Sequence, residues 1–145
     1  VIPPGKSNFI QLWSVGPFID MLVQGLGGIE PNAHQNKVII SPSLPSGLSE
    51  LSFERLQMGK HTFSFSHRRR EEMIETIIRH HEGSVPLEVK FCIKNEDINT
   101  MLVDGQEVTT TVNRHPALGY VESALNITVP VGAIKRVVRQ LTSAN

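Results

Sequence analysis

The 145 residues contain one cysteine, eight aromatic side chains (six Phe, one Trp and one Tyr) and no surplus of either charge, with 14 Lys plus Arg against 14 Asp plus Glu. Each shortage excludes something. Cys92 by itself makes neither an intramolecular disulfide nor a thiolate zinc site, and it has no base beside it in the chain to turn it into a nucleophile. A chain of this length buries roughly two-thirds of its unfolded surface on folding and needs no such staple. A neutral balance lacks the clustered Lys and Arg that phosphate backbones or anionic membranes require, so neither nucleic acid nor membrane is expected as a partner. No apolar run approaches the roughly 20 residues that span a bilayer. The N-terminus also lacks a charged segment leading into an apolar one, which leaves the compartment open. The first residue is Val rather than Met, and Val1 is read as a cut edge, with more chain expected upstream.

What is present divides into two unequal parts. Pro3 and Pro4 hold residues 1 to 5 extended. From Phe9 the apolar residues Ile10, Trp13, Phe18, Met21, Leu22 and Leu26 recur mostly at spacings of three to five. This predicts a largely buried helix from about Phe9 to Leu26, capped by Ser7 or Asn8, kinked or begun at Pro17 and stopped by Gly27-Gly28. After Pro31 the chain changes to short runs of Val, Ile, Thr and Phe separated by Gly, Pro, Asn and Asp, the punctuation of an all-β domain. Strands are expected at Lys37 to Ile40, at Leu51 to Leu56 with Leu51, Phe53 and Arg55 alternating, and at His61 to His67 with Phe63 and Phe65 on one face. Leu87, Val89, Phe91 and Ile93 alternate with Glu88, Lys90, Cys92 and Lys94, which puts Cys92 on the more polar face. Asp104-Gly105 is a two-residue hairpin signal, and Leu125, Ile127 and Val129 mark another strand. Two segments are ambiguous. Met73, Ile74, Ile77 and Ile78 have helical spacing in strand-like surroundings, and Ile134, Val137, Val138 and Leu141 have helical spacing with the β-branched content of an edge strand.

Gln11-Leu-Trp-Ser-Val-Gly-Pro-Phe-Ile-Asp20, continuing through Leu26-Gly-Gly-Ile-Glu-Pro31 and then Val38-Ile-Ile-Ser-Pro-Ser-Leu44, resembles the end of the catalytic barrel in glycosidases of the glycogen-debranching and α-L-rhamnosidase-like type. The likeness covers residues 9 to 45 in sequence and extends to residue 67 as a strand, a turn at Gly59 and a second strand. It implies a mainly β chain: an antiparallel β-sandwich over residues 36–145, preceded in residues 1–31 by one α-helix, the last of an (α/α)6 barrel. In the family the segment after the Arg-rich turn is a strand, so Met73 to His81 is taken as strand. The rest of the barrel, with the acid and base carboxylates, would then lie upstream. That barrel and its carbohydrate substrate are the partners implied.

The chain shows no chemistry of its own. Glycoside hydrolysis needs two facing carboxyl groups, and Asp20, Glu30, Glu50, Glu54, Glu71, Glu72, Glu75 and Glu82 read as solvated or ion-paired, so none is nominated as catalytic. His80 and His81 point to opposite faces of a strand, and His61 and His67, though on one face, are roughly 20 Å apart. No metal and no cofactor is expected. Arg68-Arg69-Arg70 before Glu71-Glu72 reads as a solvated turn. Asn126-Ile127-Thr128 is a formal glycosylation sequon inside a strand. By resemblance, the loop and first turn from Ser7 to Trp13 approach the sugar pocket, where Gln11 can bond hydroxyls and Trp13 can stack on a ring, or else fill the helix-to-barrel core. Without the barrel, the apolar helix leaves a patch that promotes self-association. The rival reading is a free-standing carbohydrate- or protein-binding β-sandwich, for which Tyr120 is the clear exposed aromatic.

Overall fold

A computed structural model describes residues 19–141 of the chain. A helical segment of π type, Met21–Leu26, leads into β1 (Ile29–Asn32), a 3-10 turn at Ala33–Gln35 and β2 (Lys37–Ile40). There follow β3 (Glu50–Met58), β4 (His61–Arg69), β5 (Met73–Glu82), β6 (Leu87–Lys94), β7 (Thr100–Val103), β8 (Gln106–Thr109), β9 (Thr111–His115), β10 (Tyr120–Val129) and β11 (Ile134–Gln140). The end of the expected helix is therefore helical, and its first part lies outside the described residues. The chain is mainly β.

The strands form two sheets, ordered β1-β2-β6-β10-β9 and β3-β4-β5-β11-β7-β8. All pairings are antiparallel except β2 with β6, which is parallel. That exception modifies the purely antiparallel expectation: the chain leaves β2 through a long connection and a whole meander before returning beside it as β6. The two sheets share one hydrophobic cluster. Val38, Ile40, Val89, Phe91, Leu125 and Ile127 come from the first sheet, and Phe63, Phe65, Ile78, Met101 and Val137 from the second. Burial of that apolar area is the main favourable contribution to the fold.

Period-two alternation accounts for most of the strands, and three details depart from it. Arg55 does not continue the Leu51–Phe53 alternation: its φ of 53° makes a β-bulge, and the register of β3 on β4 jumps from Phe53 to Leu56. Cys92 is buried although its neighbours Glu88 and Lys90 point the same way, because it lies opposite the small Ala124. Strand β11 lies inside its sheet, between β5 and β7, rather than at an edge. Its inner residues Val137 and Val138 are buried there, while Ile134 stays exposed. Asp104-Gly105 forms the expected two-residue turn, with φ of 50° and 81°, the pair of positive values that a type I′ hairpin needs.

A hydrogen-bonded histidine pair ties the sheets together. His80 Nδ1 lies 3.0 Å from the carbonyl oxygen of Val129, on the other sheet. The carbonyl can only accept, so His80 carries its proton on Nδ1 and its Nε2 accepts from His61 Nδ1, 3.0 Å away. His61 Nε2 is then an acceptor, so the side-chain amide of Asn36, 2.8 Å away, meets it with its NH2 donor rather than its oxygen. Both rings are buried, and burial, followed by the neighbouring His80, pushes the pKa of His61 down. Gly83 closes over the pair: a Cβ there would lie 2.6 Å from His80 Nε2 and 2.7 Å from His61 Nδ1.

Candidate functional site

The end of the helical segment is fixed to the first sheet through its backbone. Ser41 N donates to Gly28 O at 3.1 Å and Ser43 N to Leu26 O at 2.8 Å. Gly28 has a φ of +57°, and a Cβ on it would come within 2.0 Å of Ser41 O, so no other residue fits. This junction forms one wall of a cleft of about 270 Å³. The other walls come from the C-terminal ends of β4, β6 and β11 and the start of β5, which contribute His67, Arg69, Lys94, Arg139 and Ile74. Strand ends of both sheets thus converge on one opening beside the helix.

The electrostatics of the cleft are uneven. Arg139, whose side chain is only 11% exposed, pairs with Glu96. Arg69 and Lys94 take part in none of the ion pairs among the described residues. His67 is 5% exposed, and its Nδ1 is 2.7 Å from Thr76 Oγ1. Its Nε2 has no partner among the described residues, and no buried polar side-chain atom of theirs is sealed off without one. His67 lines the cleft. Burial first, and then the guanidinium groups of Arg139 and Arg69, hold the His67 pKa down at about 4. At neutral pH the ring is an uncharged donor or acceptor set among cations.

A larger and more open depression of about 490 Å³ lies at the other side of Glu96, along Asp97, Met101, Glu107 and Val138. Its carboxylates are largely engaged, Glu96 with Arg139 and Asp97 with Arg114. Among the described residues no group of three His, Cys, Asp or Glu side chains could hold a metal ion, and no helix is long and apolar enough to cross a membrane.

Gln11 and Trp13, the expected sugar contacts, lie outside the described residues. Tyr120 is half-buried rather than clearly exposed, and one face of its ring is stacked on His115, with centroids 4.5 Å apart and planes at 24°. Arg70, Glu71 and Glu72 form the expected exposed turn, but the basic run begins before it. Arg68 and Arg69 end β4, and Arg68 reaches across to Glu50 at 2.9 Å. Glu75, expected to be solvated or ion-paired, is paired with Arg136 but buried. The cleft itself escapes a reading of the sequence, because its side chains are brought together from four strands and the helix junction. The one local signal was Arg69 within the basic run. Compared with known protein families, curated proteins and solved structures, the chain shows no significant match to any.

Proposed function

We propose that this chain is the C-terminal region of a glycoside hydrolase, in which the last helix of an (α/α)6 barrel passes into an antiparallel-rich β-sandwich that braces the barrel. On this reading the two sheets sharing a single core are the two layers of that sandwich. The catalytic carboxylates lie in the upstream barrel, and the bonds cleaved are glycosidic bonds of oligo- or polysaccharides. By the resemblance, Gln11 and Trp13 would approach the sugar pocket from the loop before the last helix.

The observation that carries the proposal is the helix-to-sheet junction. The two separate stretches of family-like sequence, Leu26-Gly-Gly-Ile and Ile40-Ser-Pro-Ser, are hydrogen-bonded to each other there, and the contact is too close for any side chain at Gly28. A motif whose halves make one contact is a better guide than either half alone. The helix also presents apolar side chains outward: Ile19 is 50% exposed and Met21 60%. Such a face suits packing against a larger helical body, or self-association in its absence. Sequencing the gene upstream of Val1 tests the proposal. Several hundred residues of paired amphipathic helices are expected, and a start codon immediately before Val1 would refute it.

A further inference from the structure

We propose that the cleft between the helix junction and the ends of β4, β6 and β11 is a binding site for a small oxyanion, with His67, Arg69 and Lys94 as its ligand-contacting residues. The inference does not depend on the glycoside hydrolase reading. Three features support it. Arg69 and Lys94 line the same cleft and enter no ion pair among the described residues, whereas the third cation, Arg139, is engaged by Glu96. Two positive charges facing one concave site attract an anion.

The second feature is His67, which lines the same cleft, is more than nine-tenths buried and has one ring nitrogen bonded to Thr76. A neutral imidazole can offer its second nitrogen as a hydrogen-bond donor to an anion held between the two cations. The Thr76 hydroxyl can donate to Nδ1, which leaves Nε2–H as that donor. Kept neutral by burial and by its cationic neighbours, His67 supplies direction while Arg69 and Lys94 supply charge. The third feature is size. At about 270 Å³ the cleft is smaller than the roughly 300–1,000 Å³ of sites that enclose drug-sized molecules. It suits a phosphate, sulfate or carboxylate group.

The test is calorimetric titration of the full 145-residue chain with inorganic phosphate and, separately, with acetate, in chloride buffer at matched ionic strength. The first anion is tetrahedral and the second planar, and whichever binds more tightly fixes the geometry of the natural ligand. One saturable site is expected, with a Kd on the order of 1 mM. Arg69→Gln combined with Lys94→Gln should weaken it at least about tenfold, while Arg70→Gln, which removes one charge outside the cleft, should leave it within about twofold. In the unmodified protein, nitrogen-15 spectra should show His67 Nε2 shifting in step with binding. The proposal is overturned by absence of saturable binding to either anion, by an equal loss in the Arg70→Gln protein, or by a His67 resonance that does not move. The last criterion uses no variant and stands even if the double substitution fails to fold.

Discussion

Acidification tests how firmly His67 is held in its buried, neutral state. The ordinary pKa of a histidine, 6.5, governs the unfolded chain, and the folded value is about 4. Between those values the unfolded state binds more protons than the folded one, so stability rises with pH across the window. The contribution is fully present above pH 6.5, declines as the pH falls towards 4 and is gone below it. The gap from 6.5 to about 4, at about 1.4 kcal/mol per unit, amounts to about 3 kcal/mol, of which about 2 kcal/mol is lost by pH 5. Against a total stability of roughly 5–15 kcal/mol this is a large fraction. Urea denaturation of the native chain and of His67→Gln between pH 7 and pH 4.5 measures it. Gln keeps a polar group near Thr76 and cannot titrate. The native chain should lose about 2 kcal/mol more than the variant on going from pH 7 to pH 5. His61, whose pKa is also lowered, titrates in both proteins and cancels in the comparison. Equal pH dependence in the two proteins would refute the reasoning, as would a His67 proton resonance titrating near 6.5.

Three further outcomes follow from close contacts and burial. Gly28→Ala places a Cβ 2.0 Å from Ser41 O at a φ of +57°, and should cost about 3 kcal/mol or more in urea denaturation. A cost under about 1 kcal/mol would mean that the junction is not tight. Gly83→Ala drives a methyl group against both ring nitrogens of the His61–His80 pair, and an overpacking cost of about 2 kcal/mol should come with loss of the protected Nδ1–H signals in the proton spectrum. Cys92, buried and with its pKa pushed up to about 11, should not react with a thiol reagent at pH 8 until the chain is unfolded. Prompt modification of the folded protein would contradict its burial.

The β architecture was legible wherever one face of a strand is buried and the other is not. Phe63 and Phe65 in β4 and Leu87, Val89 and Phe91 in β6 are of this kind, and Asp104-Gly105 announced its turn through the residues that tolerate positive φ. Strand β5 was illegible by period because burial does not alternate along it: Ile74, Glu75 and Thr76 are all buried in succession, Glu75 being held by Arg136 on the neighbouring β11. A carboxylate buried through a partner 61 residues away leaves no mark in its own segment. Strand β11 is ambiguous between helix and edge strand for a related reason, since its place inside the sheet depends on β7, formed more than thirty residues earlier. The cleft was invisible on the same ground. His67, Lys94 and Arg139 are ordinary strand-end residues one by one, and only the topology makes them neighbours.

The central claim is that these residues support a glycosidase without containing its active site. Hydrolysis of a panel of aryl glycosides by the isolated 145-residue chain, compared with the product of the complete open reading frame, tests it most directly. The account predicts turnover by the complete protein and none above the buffer rate by the isolated chain. Turnover by the isolated chain, or a complete protein inert towards every glycoside in the panel, would contradict it.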